Sequence, residues 1–213
     1  MTTTNKNQAT DIIKSVYDNQ QDILNAIKLL YCPNGFQCDP TFSKGVFYRG
    51  TDEPAYKLDI VPQRSDVWEC DCRKLPFPSE YLNNIVSDPP FIGASRKDGK
   101  PGIIKERFSY FSSIPVLWNF YNESLSEFYR VLSFDGVLVF KCQDSVESSK
   151  QYVSHVAVMN MALRLGFYPE DLFILTANNR IISPSQWNQQ HARKYHSYFW
   201  VFRKSSKRIV EYP

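Results

Sequence analysis

Asp88-Pro89-Pro90-Phe91 gathers a carboxylate, a peptide carbonyl and an aromatic ring within four residues. The run before it, Leu82-Asn83-Asn84-Ile85-Val86-Ser87, reads as a short strand about to end. Two consecutive prolines forbid helix and remove two backbone donors, so the chain leaves the sheet in a stiff, extended loop. Asp88 and the Pro89 carbonyl are two acceptors, and Phe91 is a surface to stack on. Such a set suits a planar base with an exocyclic amine. The competing reading of the tetrapeptide alone is a proline-rich turn with an ordinary Asp and a core Phe.

The elements that must position this loop are legible from periodicity. Asp11 to Leu30 carries Ile12, Ile13, Val16, Ile23, Leu24, Ile27 and Leu30 at near-helical spacing, and Tyr31-Cys32-Pro33-Asn34-Gly35 stops it. Short strands are expected at Phe36–Cys38, Tyr56–Ile60, Asp66–Cys70 and Asn84–Ser87. Helices are expected at Phe120–Leu132, with Ser133–Gly136 as its exit turn, and at Ser148–Leu165, capped by Gly166. Val137–Cys142 is a near-continuous apolar run, suited to a strand buried on both faces. Leu172–Thr176 and Tyr198–Phe202 complete the set, with a polar loop, Asn178–His196, between them. Strands alternating with helices imply an α/β fold with a doubly wound, mostly parallel sheet.

Four successive strand candidates end at or beside an Asp: Asp39, Asp59, Asp71 and Asp88. In an open α/β sheet, ligands bind beyond the carboxyl ends of the strands, at the topological switch point. Four acidic groups there would line one crevice, although Asp is also common in ordinary turns.

Composition narrows the rest. The 213 residues, 43% hydrophobic and 22% charged, fit one domain with a sizeable core. No apolar run reaches the ~20 residues that span a bilayer, and the first residues lack a signal-peptide core, so a cytoplasmic location is expected. The net charge is only +3, but Arg96, Lys97, Lys100, Lys105 and Arg107 crowd one segment, and Arg193, Lys194, Arg203, Lys204, Lys207 and Arg208 crowd the C-terminal part. Solvated faces explain most such runs; phosphate contact is the functional alternative. Five cysteines and three histidines match no disulfide framework or metal site, so no metal is expected.

With these residues in place, a resemblance emerges. Asp39-Pro40-Thr41-Phe42-Ser43-Lys44-Gly45 resembles the D-P-F-x-G-S-G motif of the DNA amino-methyltransferases, with Gly45 the one retained glycine. Asp88-Pro89-Pro90-Phe91 resembles their D-P-P-Y/F motif. Phe128–Leu132 followed by Asp135-Gly136-Val137-Leu138 resembles their R-V-L-x-x-G-G-x-L. The similarity runs from Gly35 to Phe202, and the compact form looks like phage enzymes. It implies a class I, Rossmann-like methyltransferase domain with a seven-stranded sheet over residues 1–213. Residues 1–34 would form an N-terminal helical extension, and no separate target-recognition domain is expected.

The resemblance also implies roles. S-adenosylmethionine would be the cofactor. Asp39, Pro40, Thr41, Phe42 and Gly45 would adjoin its methionine end, Asp59 its ribose, and Asp71 with Cys72 its adenine. Asp88, Pro89, Pro90 and Phe91 would be catalytic, and Asp with Phe in that motif favours adenine N6 over cytosine N4. Arg96, Lys97, Lys100, Arg193 and Lys194 would touch nucleic acid, DNA ahead of RNA, and a homodimer or a specificity partner could supply recognition. The alternatives are an RNA base amino-methyltransferase and an inactive module that binds nucleic acid or a partner. Lys141-Cys142-Gln143-Asp144 is similar to the Pro-Cys-Gln of cytosine-C5 enzymes. It lacks the Pro and ends the fifth strand rather than the fourth, so Cys142 is read as core, with Gln143 and Asp144 near the substrate end.

Overall fold

The computed structural model describes residues 12–91, 111–147, 149–177, 191–192 and 194–207. Among the described residues, ten strands and three long helices follow in chain order: β1 (Val16–Tyr17), α1 (Gln20–Tyr31), β2 (Cys38–Asp39), β3 (Tyr56–Asp59), β4 (Trp68–Glu69), β5 (Leu82–Ser87), α2 (Ile114–Val131), β6 (Leu132–Cys142), β7 (Ser145–Glu147), β8 (Lys150–Tyr152), α3 (Ser154–Leu165), β9 (Phe167–Thr176) and β10 (His196–Lys204). Eight of the strands form one sheet in the order β1-β9-β10-β6-β5-β2-β3-β4. The block from β4 to β6 is wholly parallel, and β10 runs antiparallel between β6 and β9. The doubly wound, mostly parallel sheet is therefore as expected, but it has eight strands and not seven. The extra one is β1, which pairs Val16 with Ile174 and Tyr17 with Leu175 along the edge of β9.

That pairing also shortens the first helix. Residues 16–17 are drawn into the sheet, and the Asn19 side chain accepts the Gln21 N–H at 2.9 Å, which starts α1 at Gln20. Ile23, Leu24 and Ile27 of α1 are fully buried, so the helix is part of the core. The second helix expectation splits as well. Ser145–Glu147 and Lys150–Tyr152 pair as the β7–β8 hairpin, with Ser149 left-handed at φ 62°, and α3 starts only at Ser154. Gly166, at φ 98°, caps α3 by donating to the carbonyls of Ala162 and Leu163. The expected exit turn at Ser133–Gly136 is a bulge inside β6. Its pairing jumps from Leu82↔Leu132 to Asn84↔Val137, with Asp135 at φ 60°.

Alternation along β6 divides the core. Leu138, Phe140 and Cys142 face α2 and α3, packing among Tyr121, Leu125 and Phe128. Val137 and Val139 face α1, in the layer that holds Ile23, Ile27, Phe173 and Phe199. Burial on both faces explains why this strand reads as an unbroken apolar run. Lys141 is the exception, a buried cation on the α1 face. Among the described residues no helix is long and apolar enough to cross a membrane.

Candidate active site

β2 and β5 are neighbours, yet the chain proceeds from β2 outward to β3 and β4, and from β5 the other way to β6. The connections that leave their carboxyl ends therefore run to opposite sides, which is the switch point where α/β sheets open a crevice. Asp39 is the last residue of β2, and Asp88 directly follows β5. A cavity of about 350 Å³ opens there, walled by Gln20, Thr41, Ser43, Phe47, Gln63 and Asp88 among others.

Thr41 ties the two loops together. Its hydroxyl donates to Asp39 Oδ1 and accepts the Asp88 N–H, both at 2.9 Å. Asp39 is itself almost fully buried, and its acceptors are taken by the Thr41 N–H at 2.7 Å and the Tyr48 hydroxyl at 2.8 Å. The carboxylate expected beside the methionine end is thus an internal brace that sets the pose of Asp88 through one hydroxyl. Burial pushes the Asp39 carboxyl up to about 7 from its ordinary 3.8, against the pull of its hydrogen bonds.

A pH signature follows. The folded chain holds this proton to higher pH than the unfolded chain, so between about pH 4 and 7 the native state binds more protons, and this group's contribution to stability falls as pH rises. Asp39→Asn keeps the Thr41 bonds on its carbonyl oxygen and can donate to Tyr48. The wild-type-minus-variant difference in unfolding free energy should fall by up to ~4 kcal/mol across that window and then level off. A flat difference curve in pH-dependent denaturation would show that Asp39 is ionised throughout.

The other carboxylates divide. Asp59 accepts the Ser43 N–H on Oδ2 and the Val61 N–H on Oδ1, each at 2.8 Å, so it fixes the loop that walls the cavity. Asp71 is clasped by Arg73, whose Nη2 lies 2.6 Å from Oδ2, and Arg73 reaches on to Glu123. Cys72 is buried, 3.4 Å from the Ser124 hydroxyl. Pro40 and Phe42 are buried with the loop, Phe42 stacking on Tyr48 at 5.7 Å.

At the Asp-Pro-Pro-Phe loop, the Pro90 carbonyl accepts the Tyr121 hydroxyl at 2.5 Å, whereas no described residue donates to the Pro89 carbonyl. Asp88 is partly buried. Its Oδ1 lies 3.3 Å from Lys141 Nζ, but no hydrogen bond is directed at that oxygen by a described residue. Burial pushes the Asp88 carboxyl up, and Lys141 opposes that rise.

Sequence reasoning passed over three of the groups that meet here: Gln20, Phe47 and Lys141. A lysine closing an apolar, doubly buried strand was the available signal for the last. Cys142 is fully buried, its thiol held well above the ordinary range by burial, in keeping with a core role. Asp144 is held by His155 at 2.9 Å, and Gln143 donates to the Lys194 carbonyl. Arg96, Lys97, Lys100 and Arg193 lie outside the described residues. Of the C-terminal cations, Arg203 and Lys207 pair with Glu170, and Lys204 is buried against the Tyr129 and Leu132 carbonyls. Among the described residues no cluster of metal-ligating side chains occurs, and all five cysteines are free.

Comparison with known proteins agrees with this architecture. A candidate sarcosine dimethylglycine methyltransferase from Galdieria sulphuraria superposes with a TM-score of 0.51, at 13% identity over 87% of this chain and 85% of that one. A candidate DNA modification methylase from Thermus thermophilus, complexed with S-adenosyl-L-methionine, gives 0.46 at 18% identity over 67% of this chain and 56% of that one. PvuII DNA methyltransferase, cytosine-N4-specific, gives 0.47 at 16% identity over 71% and 52%. The first likeness, at 13% identity, is one of fold, and the chain spans little more than half the length of the two DNA enzymes. No curated protein matches in sequence. The sequence profile of the N6/N4 DNA methylases matches residues 82–212, over half of the 213 residues, from the strand that delivers Asp88 through β10. The chain belongs to the N6/N4 DNA methylase family.

Proposed function

We propose that this chain transfers a methyl group from S-adenosylmethionine to the exocyclic amine of a base in DNA, adenine N6 in the first place. The observation that carries the reading is Asp88, a residue at the switch point of the sheet and on the wall of its cavity, with one buried carboxylate oxygen at which no described residue directs a hydrogen bond. The cavity lies within the roughly 300–1,000 Å³ of small-molecule sites and carries both apolar and polar groups, as a nucleoside with a charged amino-acid tail requires. Thr41, Phe42 and Gly45 would hold the methionine end, within a loop braced by Asp39 and Pro40. Asp59, with each oxygen so far accepting one bond from this chain, has lone pairs left for ribose hydroxyls. Asp71, beside Cys72, would share its carboxylate between Arg73 and the adenine amine.

When bound, the cofactor supplies an electrophilic methyl on its sulfonium. The protein's task is to turn a poor nucleophile towards it. An exocyclic amine delocalises its lone pair into the ring, and two acceptors, Asp88 and the Pro89 carbonyl, hold both N–H bonds so that the lone pair points at the methyl group. Phe91 stacks on the base, a contact worth about 1–3 kcal/mol. The base must leave the duplex stack to enter. Asp at the head of the motif favours adenine N6. The chain would act as one methyltransferase domain, with target choice supplied by loops, a second copy or a partner.

Incubation with labelled methyl donor and separate DNA and RNA pools, followed by nucleoside analysis, tests this. Label in N6-methyladenine of DNA is the expected result. Label in N4-methylcytosine would reassign the base, and label in RNA alone would reassign the substrate. An absence of S-adenosylmethionine binding would reduce the chain to an inert module.

A further inference from the structure

Lys141 is a buried cation with few partners. β6 presents it on the α1 face, and its side chain is only 10% exposed. Its ammonium donates to Gln20 Oε1 at 2.8 Å and lies 3.3 and 3.4 Å from the two oxygens of Asp88. Three aromatic rings surround it, with centroids at 5.1 Å for Phe47, 5.3 Å for Phe91 and 5.3 Å for Phe199. Gln20 is fixed in turn by donating to the Phe47 carbonyl at 3.0 Å. Rings and a carboxylate make a cage for a cation, and the cage is built from the residues that frame the amine site.

A buried carboxylate without a counter-charge takes up a proton. A protonated Asp88 would offer a donor where the target amine needs an acceptor. Among the described residues, the other ionisable groups that act on Asp88 do not help it ionise. Asp39 from β2 repels it, and the hydroxyls of Tyr48, after β2, and Tyr121, from α2, remain neutral because burial holds them well above their ordinary range. Among the described residues, Lys141 is the one cation that acts on Asp88.

On the reading of the site given above, we propose that Lys141 is a positioning residue for amino-methyl transfer: its caged ammonium keeps the Asp88 carboxylate ionised and aimed at the amine, through Gln20 and the rings of Phe47, Phe91 and Phe199.

The direct test is the titration of Asp88 itself, followed by carbon-13 NMR of the full-length protein labelled at aspartate carboxyls, with Asp88→Asn identifying the signal. Lys141→Gln should raise the Asp88 midpoint by about one unit or more, a tenfold gain in proton affinity, and Lys141→Arg should stay near wild type. Lys141→Met, which keeps the apolar length within the cage, should shift it likewise and serves if the Gln variant does not fold. The acid limb of the kcat profile should move up by the same amount, so that loss of rate in Lys141→Gln is tenfold or more below that limb and shrinks above it. An unshifted midpoint in both neutral variants overturns the proposal. The carboxyl titration needs no substrate. A shifted midpoint in a protein that methylates nothing would strike the proposed function alone, and an unshifted midpoint in an active enzyme would strike only the role of Lys141.

Discussion

Asp88→Ala should lower the methyl-transfer rate by about 100-fold or more while S-adenosylmethionine binding changes little. The size follows from the role proposed for the residue. Removing one preoriented hydrogen-bonding group from a reacting centre typically costs about 10²–10³ in kcat. Asp88 is preoriented from two sides, its N–H held by Thr41 and its carboxylate by Lys141. The Asp88→Asn variant separates geometry from charge. Its carbonyl oxygen can still accept an amine N–H, and its neutral head no longer needs Lys141, so a smaller loss, roughly tenfold, is expected from the weaker acceptor. Single-turnover rates with a saturating methyl donor would check both, alongside donor affinity by calorimetry. Near-normal turnover in Asp88→Ala would remove the residue from its role. A loss of donor affinity as large as the loss of rate would move it from the amine site to the cofactor site.

This site was half visible in the sequence. Asp88, Pro89, Pro90 and Phe91 could be read directly, because two prolines after an apolar run permit little else, and the order of acidic strand ends gave the crevice its place. Other features escaped because they depend on distant neighbours. Asp39 looks like any exposed strand-end carboxylate until the fold buries it under Tyr48 and Thr41. Asp71 carries no local sign that Arg73, two residues on, will fold back over it. The two-residue strand at Val16–Tyr17 has too few residues for any period; only the open edge of β9 creates it. Gln20 and Lys141 are 121 residues apart and meet because α1 and β6 share one face of the sheet. Periodicity reports which face a residue takes, and the meeting of two faces is a property of topology.

Gly45→Ala should be the most damaging small substitution in the loop proposed to hold the cofactor. Gly45 sits at φ 74°, where a side chain costs about 1–2 kcal/mol. A Cβ there would stand 2.6 Å from Phe42 Cζ and 3.0 Å from both Arg64 Nη1 and Glu53 Oε1. The surface ion pair can yield, but the Phe42 ring cannot: it is 2% exposed, stacked on Tyr48, with the Arg64 guanidinium 5.1 Å from its centroid. Forcing extra volume into such a contact costs a further 1–3 kcal/mol or so. The displacement has a direct route to the chemistry, because Tyr48 donates to Asp39, Asp39 accepts from Thr41, and Thr41 holds the Asp88 backbone. A total loss of about 2–5 kcal/mol in stability, and at least a tenfold weaker affinity for S-adenosylmethionine, is the expected outcome. Gly50→Ala is the control. Its φ of 82° imposes the same backbone strain, yet its Cβ would meet only Gln21 Cγ, at an ordinary 3.6 Å. Denaturant unfolding and calorimetric titration of both variants distinguish the causes. If they lose stability equally, the penalty is backbone strain alone and the packing of Phe42 on Tyr48 adjusts freely. If Gly45→Ala loses more, and loses donor affinity with it, then the single glycine of this loop is retained because the ring beneath it leaves no room for a methyl group.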